Sequence, residues 1–541
     1  MNIVLKWLLA TGSVRTEPFG KLRTGYARVG AESKCLIPGF DFAPSALRST
    51  RTGFFTLCGA ALISAFAPAF ATETSALPEP GPARKANIPA TAEKTLANGL
   101  RIVVATRRAT PLVTTTLYLR SGAEVDPPRL AGLAAITAGL LDKGTATRSA
   151  PQIAEAADSL GGSFNTGTGW DSSSAGITVT TPKLGAALDL LADIVLHPKF
   201  APDEIDRLRK QSLDNLQLEL SEPKGLAALA ARRAVFGDGA YGHSADGTVS
   251  SLPRITRNDI VRLHDTYYRP DNALLVFAGD IDLDQATKLA ESAFSAWKNP
   301  AAPLPAIAAA GGKSTLAPAV VVDLPGTGQA AVTLAHTSIA RDAVDYYPGI
   351  VANAVIGGDY SSHLNQEIRI KRGLSYGAGS SLTALRHGGA FVASAQTKNP
   401  SAVEVAALMF GELDRLGTSE VPADEFAARK ATLSGNYAFG LETTNSLAGR
   451  IASFALYGLP LSELGAWLDK VQAVTPAQVQ AFAKTHLGRD GAMLVVAGDA
   501  KQFADALAKA YPKTVRYEAD KIDFDSADLK ASAATKSVPK N

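Results

Sequence analysis

The stretch ITRNDIVRLHDTYYRPDNALLVFAGD, residues 255–280, recurs in altered form as VTPAQVQAFAKTHLGRDGAMLVVAGD, residues 474–499. The two copies start 474 − 255 = 219 residues apart and align without a gap. Thr256 and Thr475 are suited to cap a helix, and each copy continues through a turn into an apolar strand that ends in Gly-Asp. The pattern therefore predicts a helix–turn–strand unit that occurs twice in the chain.

A second pair of segments has nearly the same spacing. PDEIDRLRK and ADEFAARK place the equivalent aspartates Asp203 and Asp424 at a separation of 424 − 203 = 221 residues. Two matches at almost one offset indicate duplicated structural units. The sequence predicts two homologous halves at 94–300 and 319–517, an exposed Ala-, Pro- and Gly-rich linker at 301–318, and a polar, disordered tail at 518–541.

Strands and helices are mixed within each half. LANGLRIVV, residues 96–104, has Asn98-Gly99 as a hairpin-turn signal before a β-branched strand. SFNTGTG and AGITVTT are further strand candidates, and the segments starting at Lys183 and Pro202 have the 3.6-residue period of amphipathic helices. This order predicts an α+β fold in which each half is a mostly antiparallel sheet with helices packed on one face.

The N-terminal 71 residues have the features of an export segment. Arg48 and Arg51 precede an apolar run at 54–66, and Ala69-Phe70-Ala71 follows as a small-x-small cleavage pattern. These features predict a signal peptide at about 48–71 and a secreted, periplasmic protein. The alternative is a buried apolar helix. Because 1–47 would precede the signal, we also expect that translation starts near Arg48.

Composition limits the classes of function. The formal net charge is only +3, and no basic patch with interleaved aromatic residues is present, so nucleic acid is not expected as a partner. Cys35 and Cys58 both precede the end of the predicted signal, so disulfide and thiol chemistry is not expected in the mature chain. No later segment is long and apolar enough to predict a permanent membrane span.

Several motifs together resemble one peptidase family. They are LANGLRIVV, GLAAITAGLLDKGT at 132–145, YGHSADGTVSSLPRIT at 241–256, YYRPDNALLVFAGD at 267–280 and EIRIKRGLSYGAGSSL at 367–382. With the two-half layout, they resemble the pitrilysin and mitochondrial processing peptidase family. Its active members are inverzincins, zinc peptidases with an H-x-x-E-H helix.

The resemblance implies that the zinc site is degenerate. Laid on the family motif, Ala135 and Gly139 occupy the histidine positions and Ala138 occupies the glutamate position. The chemistry needs two imidazoles one helical turn apart and a carboxylate to take a proton from metal-bound water. Asn215 lies at about the position of the third ligand, a glutamate in the family. We therefore expect no metal in this chain.

Other catalytic patterns are weak. His363 and Glu367 form a lone i, i+4 pair, for which a solvated helix face is a better interpretation than a metal site. The chain has no G-x-S-x-G elbow and no phosphate-binding glycine loop.

The family resemblance also implies two functional residues in the second half. Arg369 and Tyr376 match the spacing of an arginine and a tyrosine that reach the substrate when the two halves enclose it. A guanidinium and a phenol can donate hydrogen bonds to a peptide carbonyl as negative charge develops on its oxygen. Without the resemblance, a surface arginine and a core tyrosine would be the expected interpretation.

Some enzymes of this family have two chains, one with H-x-x-E-H and one with the arginine–tyrosine pair. The resemblance thus implies a non-catalytic subunit of a heterodimeric zinc metallopeptidase, with unfolded peptides as substrates and zinc in a homologous partner. GGSFNTGTGWDSSSAG, around Phe164, is where the family presents a strand edge to the peptide. The alternatives are a structural subunit and a stand-alone peptide-binding protein. An active homodimeric peptidase is the least favoured.

Overall fold

The computed structural model describes residues 87–307, 312 and 314–530. The predicted signal segment and both cysteines lie outside these residues. The first half contains strands β1 (Thr91–Thr95), β2 (Arg101–Thr106), β3 (Leu112–Leu119), β4 (Asn165–Thr168), β5 (Ser173–Thr180) and β6 (Ala273–Gly279). Its helices are α1 (Leu133–Gly139), α2 (Ala150–Ser159), α3 (Leu184–Leu196), α4 (Pro202–Leu220), α5 (Pro223–Phe236), α6 (Arg257–Tyr267) and α7 (Leu283–Phe294).

The second half repeats this arrangement with local changes. Its strands are β7 (Ala319–Asp323), β8 (Gln329–Ser338), β9 (Ala378–Leu385), β10 (Gly388–Lys398), β11 (Met493–Gly498) and β12 (Thr514–Glu518). Its helices are α8 (Tyr346–Ile356), α9 (Ala402–Thr418), α10 (Ala423–Phe439), α11 (Thr444–Ala455), α12 (Glu463–Ala473), α13 (Pro476–His486) and α14 (Ala504–Ala510).

Each half forms a six-stranded mixed sheet. The strand order is β1-β2-β6-β3-β5-β4 in the first sheet and β12-β7-β11-β8-β10-β9 in the second. Five of the six positions are equivalent, from β2 to the edge strand β4 and from β7 to the edge strand β9, with β6 antiparallel to β3 and β11 antiparallel to β8. The outer strand differs, because β1 pairs antiparallel with β2 whereas β12 pairs parallel with β7. The α+β fold with two homologous halves is therefore confirmed.

The local signals explain how the repeated elements begin. The Thr256 hydroxyl accepts a hydrogen bond from the Asp259 backbone N–H at 3.2 Å, and Thr475 accepts one from Gln478 at 3.3 Å. Each forms a capping box, which satisfies amide groups at the start of α6 and α13. Gly99 adopts φ 97° in the turn between β1 and β2, where a residue with a Cβ would be strained.

Each half contributes one helix that packs on the sheet of the other half. The helices of each half cover one face of its own sheet, and the opposite face is covered by a helix from the other half. Apolar residues of α5 pack against β7, β8 and β11 of the second sheet. In the same way, α11 packs against β2, β3 and β6 of the first sheet. Because both faces are covered, the central strands are apolar at consecutive positions, as in β6, which is buried throughout.

The C-terminal segment corrects one prediction. Residues 518–530 were expected to be disordered with the rest of the tail, but they pack against the first half. Phe524 and Leu529 are buried there. The Arg233 side chain donates a hydrogen bond to the Phe524 carbonyl at 2.9 Å, and the Thr248 hydroxyl donates one to Asp525 at 2.7 Å. Two buried apolar side chains and these hydrogen bonds hold the segment in place, although its average composition is polar.

In the described part of the chain, no helix combines the length and the apolar character that crossing a membrane requires.

Candidate functional site

The degenerate zinc helix α1 is held firmly at its start. Gly132 precedes the helix with φ 88°, and a Cβ there would lie 2.7 Å from the Gly247 Cα. The buried Asp126 carboxylate accepts hydrogen bonds from the backbone N–H groups of Gly132 and Ala134, both at 2.8 Å. These contacts satisfy two amides that a helix N-terminus leaves open. The frame of the helix is therefore retained.

The three degenerate positions do not fit a zinc ion. Ala138 is fully buried, and Ala135 and Gly139 are half-buried. A Cβ added to Gly139 would lie 3.1 Å from a terminal methyl of Leu208 on α4. The face of α1 that would carry the second histidine thus packs directly against an apolar side chain. None of the three side chains can donate electrons to a metal.

The position equivalent to the third zinc ligand, Asn215, does not replace the missing ligands on α1. Asn215 is exposed on α4, one residue before the buried Leu216. Within the described ranges, no three His, Cys, Asp or Glu side chains come together in a way that could hold a metal ion. The helix α1 is therefore a packing element between α4, α6 and the sheet.

The strand edge predicted near Phe164 lies beside α1. Strand β4 ends the first sheet and pairs only with β5. The Thr168 hydroxyl donates a hydrogen bond to the Ala134 carbonyl at 3.1 Å, which ties the end of β4 to the helix. In this way the structure brings together the sheet edge and the degenerate helix.

Arg369 lies in a short π-helical segment, Asn365–Ile370. Its guanidinium carbon lies 4.9 Å from the centre of the Tyr360 ring, a cation–π distance. The nearby Glu367 carboxylate forms ion pairs with Lys371 and with Arg372, whose guanidinium nitrogen lies 2.5 Å from a carboxylate oxygen. Hydrogen bonds from these two cations lower the pKa of Glu367. Arg369 makes no ion pair with any described residue, so its guanidinium is left available for a ligand.

Tyr376 projects into solvent, with 91% of its side-chain surface exposed. The turn that carries it is fixed by Ser375, whose hydroxyl donates to the Gly377 carbonyl at 2.6 Å and accepts from the Gly377 N–H at 3.1 Å. The Thr397 hydroxyl donates to the Leu374 carbonyl at 2.7 Å. A large aromatic side chain is thus held in solvent by an ordered turn.

The degenerate positions on α1 and the pair Arg369 and Tyr376 do not line one common cavity. A cavity of about 240 Å³ lies beside Tyr376, and its lining comes from α5 and from the second sheet, not from α1. Lys224 of α5 and Thr333 and Ser394 of the second sheet belong to this lining. Sequence reasoning missed these residues because they lie on separate segments that no local pattern connects.

His363 is not on a solvated helix face, contrary to expectation. The residue is buried, and its ring nitrogens lie 3.3 Å from Glu412 and 3.1 Å from Glu425. Glu425 also pairs with Arg429 at 3.0 Å. The two carboxylates approach opposite sides of the ring, and neither is Glu367. Helices α9 and α10 supply them from about 50 and 60 residues further along the chain, beyond the reach of a spacing argument.

A buried ion cluster that the sequence did not reveal joins the two halves. The Arg386 side chain, in the turn between β9 and β10, lies 3.2 Å from Glu124. Its backbone N–H donates to Asp171 at 2.8 Å, and the Tyr241 hydroxyl donates to the same carboxylate. Burial and the nearby Asp171 charge raise the pKa of Glu124 to about 8. The cluster anchors the β9–β10 turn to the first half.

Comparisons with known proteins agree with this architecture. Residues 101–244 match the family described as Insulinase (Peptidase family M16), and residues 254–433 match the Peptidase M16 inactive domain. An uncharacterized zinc protease of Streptomyces coelicolor is 30% identical over 407 residues, which are 74% of this chain and 88% of that protein. An uncharacterized zinc protease of Mycobacterium bovis is 28% identical over 76% of this chain and 94% of its own length.

Solved structures show the same fold. The peptidase M16 inactive domain from Pseudomonas fluorescens has a TM-score of 0.70 and 26% identity, and the match covers 75% of this chain and 98% of that one. A protease from Helicobacter pylori has a TM-score of 0.69 at 20% identity, covering 76% of this chain and all of that one. The resemblance seen in the sequence is confirmed, and the chain belongs to peptidase family M16.

Proposed function

We propose that this chain is the non-catalytic subunit of a heterodimeric zinc metallopeptidase that degrades or processes unfolded peptides. One observation carries the proposal. The zinc helix has lost all three functional side chains, while Tyr376 is 91% exposed on an ordered turn. A chain that had simply become structural would have no need to keep both an exposed phenol and an arginine without a carboxylate partner.

The roles of the two residues follow from their hydrogen-bonding capacity. Arg369 and Tyr376 donate hydrogen bonds to the carbonyl oxygen of a peptide bound at the partner's active site. The phenol is a neutral donor and the guanidinium a cationic donor, so both hydrogen bonds strengthen as negative charge develops on that oxygen. Stacking on Tyr360 restricts the guanidinium of Arg369, and the lysine and arginine next to it satisfy Glu367. The partner supplies the zinc ion and the attacking water.

The substrate is an extended peptide. Strand β4 ends its sheet and can accept a further strand through backbone hydrogen bonds, which are tolerant of side-chain identity. An unfolded segment can adopt that conformation, whereas a folded domain cannot. With a signal peptide at about 48–71, as the sequence predicts, we propose that this activity is periplasmic.

The alternative is a structural or peptide-binding homologue with no role in proteolysis. It shares the fold and the degenerate helix, and a chain of complex III₂ from Candida albicans shows that this fold also occurs within a larger assembly, with a TM-score of 0.66 at 16% identity. The alternative predicts that Arg369 and Tyr376 can be replaced without any change in peptide hydrolysis.

The decisive experiment is reconstitution. This chain and a homologous chain with intact H-x-x-E-H are purified separately and together, and hydrolysis of an internally quenched unfolded peptide is measured with zinc determined by elemental analysis. We expect a stable complex, zinc in the partner, and turnover that requires both chains. Zinc-dependent hydrolysis by this chain alone, or a mixture that forms no complex, would reject the proposal.

A further inference from the structure

A groove runs between α5 and the face of the second sheet, beginning under the turn that carries Tyr376. It consists of two adjoining cavities of about 240 and 230 Å³, which share Lys224, Thr333 and Ser394. Helix α5 belongs to the first half and forms one wall, while β8, β9 and β10 form the floor. We call this feature the α5 groove.

The α5 groove offers cations and hydrogen-bond donors but no carboxylate. Lys224 lines both cavities, and Arg232 lines the inner one. The other polar lining groups are hydroxyls and amides, among them Thr333, Ser394 and Gln396. No Asp or Glu lines either cavity. A surface of this composition attracts anions.

Arg232 is a cation that forms no ion pair with any described residue. Its guanidinium carbon lies 4.2 Å from the centre of the Trp170 ring, and it donates a hydrogen bond to the Tyr241 carbonyl at 3.2 Å. Burial lowers its pKa to about 10. Among the described residues, neither Arg232 nor Lys224 forms an ion pair. The Asp246 charge acts on Arg232 only weakly compared with burial, so this partly desolvated cation gains from an anionic ligand in direct contact.

We propose that the α5 groove binds an acidic segment of an extended peptide, with its carboxylates paired to Lys224 and Arg232. The inference rests on the proposed function, because it takes the ligand to be the peptide substrate. The hydroxyls and amides of the floor are suited to the backbone N–H and carbonyl groups of such a segment. The groove thus makes the chain selective for acidic peptides, a substrate class that the backbone-driven strand edge alone would not distinguish.

The test uses this chain alone and does not require the zinc-bearing partner. Fluorescence anisotropy measures binding of three labelled peptides of equal length, in which alternate positions are Glu, Gln or Lys. We expect the acidic peptide to bind most tightly and its affinity to fall as salt is added. Lys224→Glu should weaken binding of the acidic peptide by at least about tenfold, since it replaces a charge-assisted bond by a repulsion.

The matched control is Lys288→Glu on α7, which makes the same change of charge at an exposed lysine outside the groove. It should leave binding of the acidic peptide unchanged. Equal affinity for the acidic and neutral peptides, or equal effects of the two lysine variants, would overturn the inference. So would a short single-stranded DNA that binds as tightly as the acidic peptide, because the groove would then be a general anion site. If Tyr376 still controls turnover in the complex, only this inference fails.

Discussion

Helix α1 of the first half and the 369–376 segment of the second half differ in how the fold uses their side chains. In α1, the three positions that would touch a metal carry small residues, and one of them, Gly139, lies against Leu208. In the 369–376 segment, the arginine has no carboxylate partner and the tyrosine faces solvent. The first region has been absorbed into the core, whereas the second keeps side chains that the fold does not use.

The largest expected effect tests the second region. In the reconstituted complex, Tyr376→Phe should lower kcat by about 100-fold, because a donor to a developing oxyanion is removed. Assembly should not change, since the Tyr376 side chain is almost fully exposed. Steady-state hydrolysis and analytical ultracentrifugation measure the two properties. Unchanged kcat would break the comparison, because it would make the 369–376 segment as inert as α1.

The next effect tests whether the loss in α1 can be reversed. The triple variant Ala135→His, Ala138→Glu and Gly139→His should bind no stoichiometric zinc and should lose about 2 kcal/mol of stability from overpacking against Leu208. Urea denaturation and elemental analysis measure both. Gly139→Ala is the matched control and should change stability by less than about 1 kcal/mol, because the flexible end of Leu208 can move aside. A stable, zinc-loaded triple variant would contradict the view that this helix is committed to packing.

A third prediction compares equivalent positions in the two sheets. The pairings of β3 with β6 and of β8 with β11 place His336 where the first half has Leu119. His336 is buried, and burial lowers its pKa to about 4. The folded chain therefore keeps the ring neutral, while the unfolded chain takes up a proton below the ordinary histidine pKa of about 6.5. Stability contributed by the neutral ring is complete above pH 6.5 and is lost as the pH falls towards 4.

Denaturation at pH 7 and pH 5 measures this dependence. The wild-type chain should lose about 2 kcal/mol more than His336→Leu between these pH values, on the basis of about 1.4 kcal/mol per pH unit. The comparison of the two chains removes contributions from other groups, including Glu124, whose raised pKa acts in the opposite direction. Identical pH dependence in both chains would show that His336 is not held neutral.

The smallest expected effect concerns the stacking of Arg369. Tyr360→Leu should lower turnover of the complex by about threefold, because an exposed cation–π contact contributes about 0.5–1 kcal/mol. Tyr360→Phe keeps the aromatic face and should retain full turnover, which makes it the matched control. A larger loss in the phenylalanine variant than in the leucine variant would assign the role to the hydroxyl group and not to the ring.

The repeat predicted the two sheets, and the Asn98-Gly99 turn predicted the first hairpin, because these signals are local. Three features could not be predicted in this way. The apolar face of α5 shows that the helix is buried but not that it covers the other half's sheet. The burial of His363 depends on carboxylates from two later helices. The packing of 518–530 depends on two apolar side chains in a polar stretch. Each is decided by tertiary contacts between distant segments.

The exchange of α5 and α11 has a consequence for how a peptide could enter. Each half buries a helix of the other beneath its sheet, so separating the halves would expose two apolar faces at once. The two halves therefore form one rigid body and are not expected to open and close about a hinge. If this chain and a partner enclose a substrate, the entrance for the peptide must form along the interface between the two proteins. The rate at which that interface opens would then set how fast peptides enter and products leave.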